Sequence, residues 1–309
     1  MKPVLSIVIV SWNTRALLRR CLETVRAEES GVSPGGLQVI VVDNGSADGT
    51  PAMLREEFPD TTVVENRENV GFAAANNQGI RQAGGDLILL LNPDTELSAG
   101  SLGTMVRFME TTEQAGAAGA CLVNPDGTLQ ASASPAPNLR REIWRLFHLD
   151  RLHPFASYPL SAWDAERPHE VDVAQGASLM VRRTALDEVG ILDEDYYMYT
   201  EEVDLCFRLR KAGWRVYWLP QAKVLHWGGQ STRQMRGEMF LRLYESKILF
   251  FRKHHGPAAA VAYKVILALA AMPRVLLAPF VRRAAAQGGP SRDDLSPNYL
   301  RLLKALPSL

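Results

Sequence analysis

Three groups of polar residues stand out because each interrupts an otherwise apolar chain at a place where chemistry can be done. The first is Asp94, in Asn92-Pro93-Asp94, directly after the apolar run that ends at Leu91. The second is Glu201-Glu202-Val203-Asp204, three carboxylates within four residues. The third is His226, in Val224-Leu225-His226-Trp227. A lone aspartate after a strand suits a hard divalent cation, Mg2+ or Mn2+, which prefers oxygen ligands, and a neutral imidazole can add a further ligand. Clustered carboxylates raise one another's pKa, which suits a general base. Each group also has a plainer reading. Asp94 can cap a turn, the three acids can complement a helix dipole, and a single histidine is usually a packed side chain.

The elements that must hold these groups follow from hydrophobic pattern. Val4–Val10 is a continuous β-branched run, as in a parallel strand covered on both faces. Thr14 then precedes Leu17, Leu18, Cys21, Leu22 and Val25, spaced for one face of a helix. Strands are expected at Leu37–Val42, Thr61–Glu65 and Asp86–Leu91. A helix is expected to open at Thr50-Pro51, with Thr50 as cap, and another after Gly71. Asn124-Pro125-Asp126-Gly127 is a turn, and 132–138 is a proline- and alanine-rich loop. Residues 140–170 show no clean period and read as a mobile loop or acceptor-side insertion. Strand character returns at Val171–Val181, a short helix at Thr184–Glu188, an amphipathic helix at Glu201–Ala212 and a strand at Trp214–Leu219. Alternating strands and helices predict an α/β fold with an open, mostly parallel sheet and helices on both faces.

In such a sheet the strand ends share one edge, where ligands bind. The early strands here end in Ser11-Trp12-Asn13, Asp43-Asn44-Gly45-Ser46, Asn66 with Asn69 and Gly71 close behind, and Asn92-Pro93-Asp94. Any one of these is ordinary turn chemistry, but four on one edge outline an elongated site. Neither G-x-G-x-x-G after the first strand nor G-x-x-x-x-G-K-[ST] anywhere is present. A diphosphate would therefore be neutralised by a carboxylate-held cation rather than by a phosphate-cradling loop.

The blocks Ser6–Asn13, Val41–Ser46, Asn69–Asn77, Leu91–Thr95 and Glu201–Cys206, in this order, resemble glycosyltransferase family 2, of the GT-A fold, and within it the bacterial rhamnosyltransferase-like branch. The resemblance covers about residues 4–230 and implies two regions: a catalytic domain over 1–230 and a helical, basic appendage over 231–309. It implies inverting transfer of a sugar from a nucleoside-diphosphate donor, dTDP- or UDP-linked, to a glycan or lipid-linked acceptor in surface-polysaccharide synthesis. By position, Asp43 matches the acid that reads the base and ribose, with Asn44 in the same burst. Ser11 and Asn13 match the lip of that pocket, and Gly71 and Asn76 flank the nucleotide-sugar. Asp94 matches the last acid of the D-x-D metal motif, whose first acid is here Asn92. His226 matches a histidine that completes the metal site. Glu202 stands where the family has a catalytic Asp, with Glu201 and Asp204 as alternatives.

The chain has 309 residues, 47% apolar and 22% charged, with zero formal net charge. That charge is uneven: residues 241–309 carry eleven Lys or Arg against three Asp or Glu, a balance of +8 that the rest offsets. An acidic body argues against nucleic acid as a partner. The basic tail contains the apolar stretch Ala258–Phe280, interrupted by Lys264, Pro273 and Arg274. A helix lying on the inner face of the cytoplasmic membrane, with Arg252, Lys253, Arg282 and Arg283 toward anionic lipid, is preferred over a span. Helix packing in a homo-oligomer remains open. Cys21, Cys121 and Cys206 read as buried reduced thiols, and no secretory signal is expected at the start. A silent sugar-nucleotide-binding scaffold of the same fold is the main rival. A nucleotidyltransferase would carry a glycine-rich basic loop after the first strand, where Trp12-Asn13-Thr14 stands.

Overall fold

Leu5, Ile7 and Ile9 face one side of the first strand and Val8 the other, all without solvent exposure. That double burial explains why the run does not alternate with polar residues. In the computed structural model, which describes residues 3–32, 36–228, 236–279 and 296–309, the chain divides into two compact units. One comprises Met1–Ala136 with Tyr158–Gln234, the other Pro137–Ser157 with Met235–Leu309.

The first unit begins β1 (Leu5–Ser11), α1 (Arg15–Glu28), β2 (Leu37–Asp43), α2 (Thr50–Glu57), β3 (Thr62–Glu65), α3 (Phe72–Gln82) and β4 (Leu87–Leu91). It continues with β5 (Thr95–Leu97), α4 (Ser101–Thr111), β6 (Ala115–Val123), β7 (Ala133–Ser134), β8 (His169–Val171), β9 (Val173–Ala174) and β10 (Ser178–Arg182). Next come α6 (Arg183–Val189), α7 (Glu201–Lys211) and β11 (Arg215–His226). The sheet runs β3-β2-β1-β4-β10-β6-β11-β5, with β8 also on β11. Its β3-β2-β1-β4 half is wholly parallel, whereas β10 is antiparallel to both neighbours. One face is covered by α1, α2 and α4 through Leu18, Leu22, Met53, Met105 and Met109. The other is covered by α3, α6 and α7 through Ile80, Leu186, Leu205 and Leu209. Helices lie on both faces, as expected of this α/β fold. Gly79 lets α3 sit on β1: a Cβ there would be 2.4 Å from Val8 Cγ1.

Several elements differ from the expected ones. The helix at Thr50 has Gly49 rather than Thr50 at its N-cap; Asp48, one residue before it, accepts through Oδ1 from both the Thr50 N–H (3.1 Å) and hydroxyl (2.6 Å), and Thr50 is already inside the helix. The stretch 95–123, left unassigned by pattern, holds α4 and the strand β6. The Val171–Val181 strand breaks into β8, β9 and β10 around Gln175-Gly176-Ala177. The strand expected at Trp214–Leu219 runs on to His226 as β11. Burial pushes the Cys21 and Cys206 thiols up to about 12, in keeping with inert core cysteines.

The second unit is helical: α5 (Leu139–Leu146), α8 (Arg236–His255), α9 (Pro257–Leu276) and α10 (Ser296–Ala305). Residues 140–170 are therefore not one structureless loop, and 137–157 belong with the C-terminal helices rather than with the sheet. The reason is Glu142, 3% exposed on α5. Its carboxylate accepts from Tyr263 Oη at 3.0 Å, lies 3.4 Å from Lys247 Nζ and also meets Arg145. A buried charge needs such partners, and only α8 and α9 supply Lys247 and Tyr263. Phe280, Arg282, Arg283 and the Gly288-Gly289-Pro290 stretch lie outside the described residues.

Candidate active site

The parallel register levels the strand ends: Ser11 pairs with Asp43, and Asp43 with Glu65. Beyond them the backbone must turn sharply, and Asn13 does so at φ 52°, where asparagine is tolerated better than most residues. The Asn13 N–H donates to Ser46 Oγ (2.9 Å) and its Oδ1 accepts from the Ala47 N–H (2.8 Å), stitching the first two loops together. Asp43 is 2% exposed. One carboxylate oxygen accepts from the Ser46 N–H at 3.1 Å, while Oδ1 makes no hydrogen bond among the described residues. Burial raises the Asp43 pKa against the lowering effect of Ser46.

Other donor-side residues build the floor instead. Ser11 is fully buried with its hydroxyl 3.0 Å from Thr14 Oγ1. Asn44 spends its amide on the next loop. Its Nδ2 donates to Asn69 Oδ1 (2.9 Å) and the Gly71 carbonyl (3.3 Å), and its Oδ1 accepts from Asn66 Nδ2 and the Val70 N–H (both 3.1 Å). Both amide hydrogens and both lone pairs are thereby used. Asn76 is 1% exposed and donates to the Phe72 carbonyl. Gly71, at φ +92°, is pressed by Tyr197: a Cβ there would stand 2.7 Å from both Tyr197 Cδ2 and its carbonyl oxygen. Tyr197 and the 190–199 loop thus form one wall. Pattern reasoning missed them, because a loop has no period; the Asp193–Tyr197 mixture of acids and aromatics was the available signal.

At the end of β4 the chain brings Asp94 and His226 together from distant sequence. β5 pairs antiparallel with β11, matching Thr95 to His226, and the Trp227 N–H donates to the Asp94 carbonyl at 2.9 Å. Asp94 Oδ1 lies 3.4 Å from His226 Nε2, with both side chains nearly buried. Among the described residues His226 Nε2 and Asn92 Oδ1 make no hydrogen bond. Two acceptor atoms from Asp94 and His226, with Asn92 Oδ1 on the same loop, suit a cation whose other ligands are diphosphate oxygens and water. Among the described residues no three His, Cys, Asp or Glu converge on one point, so the protein would provide only part of the coordination.

The carboxylate cluster opens α7. Tyr199 (φ 68°) and Thr200 (φ 73°) are consecutive left-handed residues without being glycine, a strained approach that aims the following acids. Glu201 is 5% exposed. Among the described residues neither Glu201 Oε2 nor Glu202 Oε2 makes a hydrogen bond. Burial, then the neighbouring Glu202 charge, pushes Glu201 well above the ordinary glutamate range. Burial also raises Glu202, against the backbone N–H groups of the helix start. Asp204 differs: its Oδ2 is 2.7 Å from Arg208 Nε, and Tyr196 Oη is 3.5 Å from Oδ1. Arg208 also donates to the carbonyls of Val189, Gly190 and Ile191, so Asp204 anchors α7 to the end of α6. Gly176 sits against Glu202, a Cβ there lying 3.4 Å from Glu202 Cβ, and the next carbonyl, of Ala177, accepts from the Asn92 N–H at 2.9 Å. The break between β9 and β10 therefore connects the carboxylate cluster to the Asn92-Pro93-Asp94 turn.

The raised Glu201 pKa has a thermodynamic consequence. Between the ordinary glutamate value of 4.5 and the raised one, the folded state binds more protons than the unfolded state. Stability therefore falls as pH rises through that window. Glu201→Gln, which mimics the protonated form, is expected to raise the melting temperature at about pH 8 and to change it little at about pH 4. An equal shift at both pH values in thermal denaturation would contradict the buried-charge account.

A family model for glycosyl transferase family 2 matches residues 6–190. An N-acetylglucosaminyl-diphospho-decaprenol L-rhamnosyltransferase of Mycobacterium tuberculosis is 32% identical over 278 residues, covering 83% of this chain and 86% of the relative. A rhamnosyltransferase of Escherichia coli is 26% identical, covering 76% and 87% respectively. A mannosyltransferase from Pyrobaculum calidifontis, solved with GDP-mannose and Mn2+, shares the fold with a TM-score of 0.60 at 18% identity, covering 99% of this chain and 81% of its own. The parallel half-sheet with its acidic strand ends and the extent of these matches lead to one conclusion: the chain belongs to glycosyltransferase family 2.

Proposed function

We propose that the protein is an inverting, metal-assisted rhamnosyltransferase of cell-surface glycan synthesis. The observation that carries this reading is a set of buried acceptor atoms without partners among the described residues: Asp43 Oδ1, Asn92 Oδ1, His226 Nε2, Glu201 Oε2 and Glu202 Oε2. Each such atom costs about 1–3 kcal/mol in an isolated protein. A nucleoside-diphosphate sugar with its cation and an acceptor hydroxyl would satisfy all of them. Asp43 would accept from the base and ribose. Asp94, His226 and Asn92 would hold Mg2+ or Mn2+, which supplies charge neutralisation for the departing diphosphate. Glu202, kept protonatable by burial, would take the proton from the acceptor hydroxyl as that oxygen attacks the anomeric carbon opposite the nucleotide. The relative's name suggests the acceptor class, a polyprenyl-diphosphate-linked amino sugar, and L-rhamnose as the sugar transferred; dTDP-rhamnose is the donor that the family resemblance implies.

The test is a calorimetric screen of dTDP- and UDP-linked sugars with Mn2+, followed by transfer to such a lipid-linked acceptor. Binding and transfer with dTDP-rhamnose support the reading. Binding of a nucleotide sugar without transfer to any lipid-linked or glycan acceptor would favour the scaffold alternative.

Contact with the cytoplasmic membrane face is part of the same reading. α9 is 20 residues long with mean hydropathy 1.7, yet only 28% of its apolar window is buried. Val261, Val265, Leu269, Met272 and Leu276 are all exposed, and their spacing puts them on one face, while Tyr263, Leu267 and Ala271 bury the other. Lys264 and Arg274 within the helix disfavour a span, and exposed Arg252 and Lys253 precede it. An interfacial helix on anionic lipid fits this pattern. Flotation with phosphatidylglycerol-containing vesicles is expected to carry the wild type and to leave Val265→Glu/Leu269→Glu in the soluble fraction. A wild type that stays soluble would overturn the membrane assignment.

A further inference from the structure

Which nitrogen of His226 carries the proton decides whether it can serve the site, and a chain of hydrogen bonds in the 124–130 turn settles it. Asp126 Oδ1 can only accept, and it accepts the Thr128 hydroxyl proton at 2.6 Å. Thr128 Oγ1 must then accept from Asn124 Nδ2, at 2.9 Å. That orients Asn124 so that its Oδ1 accepts from Gln130 Nε2, at 2.8 Å. Gln130 Nε2 also donates to the His226 backbone carbonyl at 2.6 Å. Both Gln130 amide hydrogens are thereby spent on oxygens that cannot donate. The remaining atom, Gln130 Oε1, faces His226 Nδ1 at 2.8 Å, so Nδ1 must be the donor. Amide orientations are normally inferred from one neighbour; here two independent ends of the network, the Asp126 carboxylate and the His226 carbonyl, demand the same one.

We propose that Gln130 is a positioning residue that fixes His226 as the Nδ1–H tautomer, leaving the bare Nε2 lone pair aimed toward Asp94 to receive a cation. The inference rests on the reading that Asp94 and His226 hold the metal. In that tautomer the two acceptors face each other at 3.4 Å and repel until something positive lies between or beside them, and a cation held by both supplies that charge. An outer partner of this kind orients a ligating imidazole and increases its basicity. The Asn124-Pro125-Asp126-Gly127 turn, which the transfer reaction leaves unused, thereby acquires a role: its tight geometry brings Asp126 under Thr128 and sets the direction of the whole chain.

The experiment uses full-length protein labelled with 15N-histidine. Long-range proton–nitrogen correlation spectra identify the tautomer without metal, and the electron-spin signal of free Mn2+ reports binding. Wild type is expected to show His226 with Nδ1 protonated and Nε2 bare. Gln130→Met, which keeps length but removes the acceptor, is expected to lose that tautomer and to weaken Mn2+ binding by about 10- to 100-fold. Gln130→Glu retains an acceptor at Nδ1 but loses the hydrogens given to Asn124 Oδ1 and the His226 carbonyl; it is expected to keep Nδ1 protonated and to weaken Mn2+ binding less than Gln130→Met, whereas a merely structural role for the amide predicts equal loss in both. Circular dichroism of the two variants checks that they fold alike. A proton on Nε2 in the wild type, or Mn2+ binding unchanged in Gln130→Met, would overturn the assignment. Failure of the wild type to bind Mn2+ at all would instead sink the metal reading, since the tautomer is measured without metal.

Discussion

Glu202→Gln is expected to leave donor binding intact and to reduce transfer by about 10²- to 10⁴-fold, the usual worth of a positioned general base. The substitution is nearly isosteric and removes a charge that burial already disfavours, so the fold gains rather than loses. Only the capacity to take a proton disappears. Because the base must be ionised to act and its pKa is raised, the wild-type rate should climb with pH across a limb displaced above the ordinary glutamate value of 4.5. Glu201→Gln separates the roles. If Glu201 serves mainly to surround Glu202 with negative charge, its loss costs at most about tenfold. Equal losses in both variants, in single-turnover assays at saturating donor, would mean that the pair acts as one unit. Full activity in Glu202→Gln would move the base to Glu201. Asp204 is the poorer candidate because Arg208 already holds its charge.

Asp94→Ala is expected to remove metal-dependent donor binding and to reduce transfer by about 10²-fold or more, as when an electrostatic partner of a developing charge is lost. Among the described residues no further acid joins Asp94 and His226 to compensate, since the neighbouring position is Asn92. Calorimetry with and without Mn2+ separates this from Glu202→Gln: Asp94→Ala should bind the donor equally weakly in both conditions. Retention of a Mn2+-dependent increase in affinity would show that the cation is held elsewhere. The aspartate also holds β11 in place through its backbone carbonyl, which the substitution keeps, so a folding defect is not expected.

Much of the nucleotide half was legible in sequence for a local reason. β1, β2 and β4 are buried on both faces, so their apolar runs are continuous, and the polar residues that follow stand out sharply. The stretch 95–123 was not read, although Leu102, Met105, Val106 and Met109 carry a helical period, because β5 is only three residues long and β6 is an alanine- and glycine-rich strand. Small residues suit β6 because β10 and β9 crowd it: a Cβ on Gly119 would lie 2.6 Å from Ala174 Cβ. That crowding is a property of the packed sheet, not of the segment. The 140–170 stretch reads as a mobile loop or insertion because α5, a helix that buries a glutamate, looks polar until its partners Lys247 and Tyr263 are known.

The candidate site divides in the same way. Residue type and order within the chain single out Asp43, Asp94, Glu201, Glu202, Asp204 and His226 as candidate groups for chemistry, since each follows an apolar run or opens a helix. Which of them act and which support was decided only in three dimensions. Hydrogen-bond saturation at the sheet edge depends on neighbours far away in sequence: Asn44 is used up by the 66–71 loop, whereas among the described residues Asp43, Glu201, Glu202 and His226 each keep an atom without a hydrogen bond. The meeting of Asp94 with His226 required β5 to pair with β11, and the tautomer of that histidine required Gln130. Pairing and saturation are long-range properties, and no local pattern of residues encodes them.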